Sequence, residues 1–190
     1  MTTKSSSNQL KKTVFFDRDG TLIIDRVYLN DPEQITYLPG VFDALAKLRD
    51  AGYQFVMVTN QSGVARGIVS IANLDEIHRR MTNEFKKHQI EFAAIYYAPY
   101  SVESNHPLRK PNPGMLLKAH EELGGVDFAR SWMVGDRMTD VEAGHQAGCR
   151  TVLLDGVVEP PTSFAPPEIR AADLTIAISE MLKADKLISF

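Results

Sequence analysis

Apolar residues in this chain follow two rhythms. Short runs rich in β-branched and aromatic residues read as buried strands: Val14–Phe16, Tyr53–Val58, Phe92–Ala98, Ser131–Val134, Arg150–Leu154 and a short last one over Ala172–Ala177. Between them, apolar positions recur every three or four residues, as on one face of a helix. Val41, Phe42, Leu45 and Leu48 mark a helix over Val41–Asp50, closed by Ala51-Gly52. Ile71, Leu74, Ile77 or His78, Met81 and Phe85 mark a second over Ile71–His88. Further helices are expected over Met115–Leu123, stopped by Gly124-Gly125, over Val141–Ala147, stopped by Gly148, and over Ser179–Leu187. Four stretches lack either rhythm. They are a Ser-rich tail over 1–11, a flap over 23–39, a loop over 99–113 and a proline-rich loop over 157–167.

Strands alternating with helices imply an α/β fold, a three-layer, Rossmann-like parallel sheet with helices on both faces. In such sheets, reactive groups gather beyond the carboxyl ends of the strands. The first strand runs into Asp17-Arg18-Asp19-Gly20-Thr21. Two such carboxylates can hold a hard cation, and an aspartate can attack phosphorus to form an aspartyl-phosphate. An Asp-Gly pair is equally at home in a plain turn. The second strand ends at Thr59-Asn60-Gln61-Ser62-Gly63, where a hydroxyl and successive backbone N–H groups suit a phosphate, though a polar strand-to-helix turn reads the same way. Lys110 precedes Pro111 and Pro113, on stiff backbone that holds its ammonium in place. The fourth strand ends at Gly135-Asp136, and Asp140 follows as either an acid near Lys110 or an ordinary charge in a first helical turn.

Bulk properties narrow the field. The chain has 190 residues, 44% of them hydrophobic and 24% charged, as expected for one soluble domain, here 12–190. A net charge of −3 with no basic run argues against nucleic acid as a partner. The single cysteine, Cys149, rules out an intrachain disulfide and reads as a small buried residue. No apolar run is long enough for a membrane span and no signal peptide opens the chain, so a cytoplasmic protein is expected. His78 and His88 have no partner at ligand spacing and read as surface histidines.

The segments Phe16–Leu22, Thr59, Lys110 and Asp136 resemble, in order, the four motifs of the haloacid dehalogenase-like hydrolases. Asp-Arg-Asp-Gly-Thr, Thr-Asn-Gln-Ser-Gly and Ala65-Arg66-Gly67 are similar to the narrower group of heptose-bisphosphate and histidinol-phosphate phosphatases. The resemblance implies a capless phosphatase with Asp17 as nucleophile and Asp19 as general acid and base. Thr59 and Lys110 would hold the phosphoryl group. It further implies Mg²⁺ held by Asp17, Asp136 and the backbone carbonyl of Asp19, and substrate contacts from Asn60, Gln61, Arg66 and Arg109. The substrate implied is the 7-phosphate of D-glycero-D-manno-heptose 1,7-bisphosphate, on the route to lipopolysaccharide. Histidinol phosphate or another small phosphosugar is the alternative, and a non-hydrolytic phosphosugar-binding protein an alternative of another class. Members of that group often carry a zinc site in the third-motif loop. Here the loop has His106 but no cysteine, so no zinc is expected, and the protein is expected to act as a monomer.

Overall fold

The computed structural model describes residues 10–157 and 162–188. Its strands are β1 (Thr13–Phe16), β2 (Gln54–Asn60), β3 (Phe92–Ala98), β4 (Trp132–Gly135), β5 (Arg150–Leu154) and β6 (Ile169–Ala171). They form one sheet in the order β3-β2-β1-β4-β5-β6, and every pairing is parallel. The central strand is the first in sequence. From it the chain proceeds outward through β2 and β3, then crosses back to β4 and proceeds outward on the other side. That reversal between β1 and β4 opens the crevice where ligands bind in sheets of this order.

The strands are buried on both faces, which is why they read as continuous apolar runs. Val14 and Phe16 point to one side with Phe55, Met57, Trp132 and Val134, covered by α1 (Val41–Asp50), α3 (Ile71–Lys87) and α6 (Leu174–Ile188). Phe15 points to the other with Val56, Val58 and Met133, covered by α4 (Gly114–Glu122) and α5 (Met138–Ala147). A four-residue helix, α2 (Ser62–Ala65), follows β2 directly. Among the described residues, no helix is long and apolar enough to cross a membrane.

Three expectations need correction. The last strand is β6 at Ile169–Ala171, and the stretch expected to be a strand instead begins α6 at Leu174. Leu174, Ala177, Ile178 and Met181 are all buried, which is helical spacing, and the Asp173 side chain caps the helix by accepting from the Ile176 amide at 2.9 Å. The second strand continues through Thr59 and Asn60 rather than stopping at Val58. His78 is buried at 8% exposure, not a surface residue. Residues 1–9 of the expected tail and 158–161 of the proline-rich loop lie outside the described residues. Lys11, by contrast, bridges to Val126.

Between β1 and α1 the flap doubles back on itself. Ile23 bridges to Tyr37, and the Leu38 amide donates to Leu22 O at 3.1 Å. It contains a short 3₁₀ turn at Pro32–Gln34, and no separate cap unit is inserted among the described residues.

Candidate active site

All four expected motifs arrive at the carboxyl edge of three adjacent strands. β1 delivers Asp17 and Asp19, β2 delivers Thr59, Asn60 and Gln61, and β4 delivers Asp136. The loop before α4 brings Lys110 across β2: its Nζ donates to Val58 O at 2.7 Å. The same ammonium lies 2.9 Å from Asp17 Oδ1 and 2.6 Å from Asp140 Oδ1. Three oxygens therefore surround the ammonium, which stands as a buried positive charge among the carboxylates. Burial alone would strip its proton, but Asp140 and Asp17 outweigh that and hold the ammonium above its usual range.

Asp17 Oδ1 also accepts from the Arg18 amide at 2.7 Å. Both contacts fall on one oxygen, so neither engages the second. Asp19 lives differently. Arg18 grips its carboxylate with a two-pronged contact, Nε to Oδ2 and Nη2 to Oδ1 at 3.1 Å each, and Gln61 Nε2 donates to Oδ2 at 2.9 Å. Burial nevertheless raises its proton affinity, with Arg18 opposing.

Asp136 is the electrostatic outlier. It is 4% exposed and neither carboxylate oxygen has a hydrogen-bond partner. Burial, then the nearby Asp17, push its acid up to about 8. Oxygens of Asp17, Asp136 and Asp140 all lie within 4.8 Å of one another. Such a set could hold a divalent cation, and all-oxygen ligation fits a hard ion. The turn after β1 is shaped around this cluster: Gly20 has φ of 75°, and a Cβ there would stand 2.2 Å from Asp136 Oδ2. The amides of Leu22 and Ile23 bond Arg18 O, not Asp19 O.

Asp140 proves to be both things that its position allowed. Its Oδ2 accepts from the Arg137 amide at 3.1 Å, capping α5, while Oδ1 faces Lys110. Burial raises its acid, and the Lys110 ammonium opposes that shift.

The substrate-contact residues separate. Thr59, 1% exposed, accepts from Gln61 Nε2 at 2.8 Å, which leaves its own O–H to donate. Asn60 grips the backbone of Lys110, donating to its carbonyl at 3.0 Å and accepting from its amide at 3.1 Å. Its side chain positions the lysine. Arg109 lines a cleft of about 360 Å³ with Asp17, Asp19, Tyr28, Gln61 and Lys110. Arg66 stands at the rim, exposed, 5.9 Å from the Tyr28 ring centre. Sequence reasoning missed Tyr28 and the ion pair at 3.3 Å between Asp25 of the flap and Arg137, which close one side of the cleft. Neither carries a sequence signal. His78 did carry one: it falls on the apolar face of α3.

The loop over 99–113 has its own bracing. The rings of Tyr100 and His106 stack with centroids 3.5 Å apart, and Arg109 Nη1 donates to Tyr100 O at 3.0 Å. Asn112 Nδ2 reaches His106 O at 3.1 Å and Asn105 Oδ1 at 3.2 Å. Gly114 then passes so near Pro107 that a Cβ would meet its carbonyl oxygen at 2.3 Å.

The chain is similar to known proteins. A family model described as HAD-hydrolase-like matches residues 107–176. The D-glycero-beta-D-manno-heptose-1,7-bisphosphate 7-phosphatase of Vibrio cholerae is 40% identical over 151 residues, 76% of this chain and 81% of that protein. The chain belongs to the haloacid dehalogenase-like hydrolases. The Escherichia coli K12 protein of the same name is 36% identical over 80% of this chain and 83% of its own length. Among solved structures, the D,D-heptose 1,7-bisphosphate phosphatase of B. bronchiseptica, complexed with magnesium and phosphate, superposes with a TM-score of 0.79. It is 29% identical over 91% of this chain and 99% of that one.

Proposed function

We propose that this hydrolase is a Mg²⁺-dependent phosphatase that removes the 7-phosphate of D-glycero-D-manno-heptose 1,7-bisphosphate. The observation that carries the chemistry is the contrast between two aspartates on one turn. Asp17 lies within reach of the unpartnered Asp136 carboxylate, while Asp19 is drawn aside by Arg18 and Gln61. The named substrates of the curated relatives support the choice of sugar.

In this reading a carboxylate oxygen of Asp17 attacks phosphorus, and the bond from phosphorus to the sugar oxygen breaks. Asp19 delivers its proton to that departing alkoxide. The same carboxylate then takes a proton from water, whose oxygen attacks the aspartyl-phosphate, so inorganic phosphate leaves and Asp17 is restored. Mg²⁺ on Asp17, Asp136 and the Asp19 backbone carbonyl would neutralise charge on the phosphoryl oxygens. Thr59 donates its hydroxyl to the phosphoryl group, and Lys110 supplies a fixed positive charge beside the nucleophile. Arg109 and, at the rim, Arg66 suit the second phosphate of a bisphosphate substrate.

The test is phosphate release with Mg²⁺ from both anomers of heptose 1,7-bisphosphate and from histidinol phosphate. A clear preference for the heptose is expected, and Asp17→Asn should lose turnover by on the order of a thousandfold or more while still folding. Preference for histidinol phosphate would overturn the substrate. Turnover near wild type in purified Asp17→Asn would overturn the mechanism.

A further inference from the structure

We propose that His78 is a positioning residue for the acid–base aspartate, holding Asp19 in place through the buried guanidinium of Arg18. The inference rests on the role given to Asp19 above. Arg18 is 1% exposed, so every N–H it presents has been removed from water and needs an acceptor. Its Nε and Nη2 take Asp19. Its Nη1 lies 3.2 Å from His78 Nε2, reaching across 60 residues of sequence to α3.

Arginine has donors only, so His78 Nε2 must be the acceptor, and the ring proton then sits on Nδ1. The surroundings agree. Burial and then the charge of Arg18 pull the imidazole down to about 3, so it is neutral at any working pH. The ring is steadied from the side by Tyr97, 5.8 Å away between centroids. A histidine merely filling the core of α3 would have no reason to aim an unprotonated nitrogen at a cation.

The geometry makes the guanidinium a rigid plate fixed at both ends. One edge meets the carboxylate in matching pairs, and the far nitrogen is anchored to a helix. Releasing the anchor lets the plate turn about its stem, and both contacts to Asp19 shift together. His78 is thus coupled to the direction in which Asp19 offers its proton, although it touches neither substrate nor nucleophile.

A leaving-group comparison separates this role from a structural one. A sugar alkoxide needs a proton to depart, whereas nitrophenolate needs little help. The value of kcat/KM reports the steps up to formation of the aspartyl-phosphate. His78→Leu keeps bulk and removes the acceptor. Its loss of kcat/KM is expected to be about tenfold larger on heptose 1,7-bisphosphate than on p-nitrophenyl phosphate, a fraction of what general acid catalysis supplies. His78→Gln, whose side-chain oxygen can accept from Arg18, is expected to recover most of the difference. Asp19→Asn should show the same bias, more strongly. If His78→Leu does not accumulate as folded protein, Arg18→Lys serves instead. It keeps the charge but cannot hold Asp19 and His78 together, and should show the same bias. Equal losses on both substrates, no loss on either, or a bias in His78→Gln as large as in His78→Leu would overturn the proposal. Activity surviving in Asp17→Asn would strike at the phosphatase mechanism itself, independently of how His78 behaves.

Discussion

Asp17, Asp19, Asp136 and Asp140 carry the same side chain and are made different by their neighbours. Asp140 is balanced by Lys110, Asp19 is gripped by arginine and glutamine, and Asp136 has nothing. That isolation gives a pH dependence with a definite sign. In the folded protein Asp136 holds its proton up to about 8, against an ordinary value of 3.8 when unfolded. Between those values the folded state binds more protons than the unfolded state, so raising the pH favours unfolding. His78 works in the opposite direction. Its folded value near 3, against 6.5, adds stability as the pH rises, but that contribution is complete by about 6.5. In chelator, the melting temperature is therefore expected to fall between about pH 6.5 and 8. Saturating Mg²⁺ should remove the fall, because the cation replaces the proton, and Asp136→Asn should remove it too. Thermal scans across that interval check this, and a flat metal-free profile for the wild type would contradict it.

At the scale of elements, the loop ahead of α4 does work that its sequence only partly advertises. Lys110 could be located from its order among the motifs and from the prolines beside it. The Tyr100–His106 stack, the Asn112 contacts and the Asn60 grip on Lys110 could not. The first two join residues about half a loop apart with no periodic signal, and Asn60 lies 50 residues from Lys110, so that pair meets only when β2 and the loop are in register. The same reason hid the Gln61 bond to Asp19, 42 residues away, whereas each aspartate at a strand end was legible because a local apolar run announces it. The β6–α6 boundary failed for another cause. Ala172-Asp173-Leu174-Thr175-Ile176-Ala177 alternates well enough for a strand, and only the continuation to Ile178 and Met181 reveals helical spacing. The loop's path makes Gly114→Ala informative. The added carbon would crowd Pro107 O, so about 1–3 kcal/mol of stability should be lost in urea titration. Because Arg109 and Lys110 ride on the same loop, KM should rise as well. Unchanged stability would mean that the close approach to Pro107 does not set the loop.

Across the whole molecule the two ends of the sheet have separate duties. Asp17, Thr59 and Asp136 occupy the carboxyl ends of the strands. At the amino ends, Tyr53, Trp132 and Arg150 converge on Asp185 of α6, with Arg150 Nη1 at 2.9 Å, Trp132 Nε1 at 3.4 Å and a close contact from the Tyr53 hydroxyl. Arg150 also lies 3.9 Å over the Trp132 ring. This fastening ties the last helix to three strands, far from the chemistry. Asp185→Ala should cost about 1–3 kcal/mol in denaturant midpoint, with KM for the phosphorylated sugar unchanged. A shift in KM would show that the two ends are coupled.

The approach of Gly20 to Asp136 has a consequence for how this protein tolerates variation. The turn has no room for even one carbon beyond the backbone, because that space belongs to a carboxylate from another strand. In a saturation screen scored on turnover, position 20 would rank beside the nucleophile, although it has no functional group to lose. Replacements there would crowd Asp136 and leave the protein folded but inert. The empty space at Gly20 is as necessary to the site as any side chain in it.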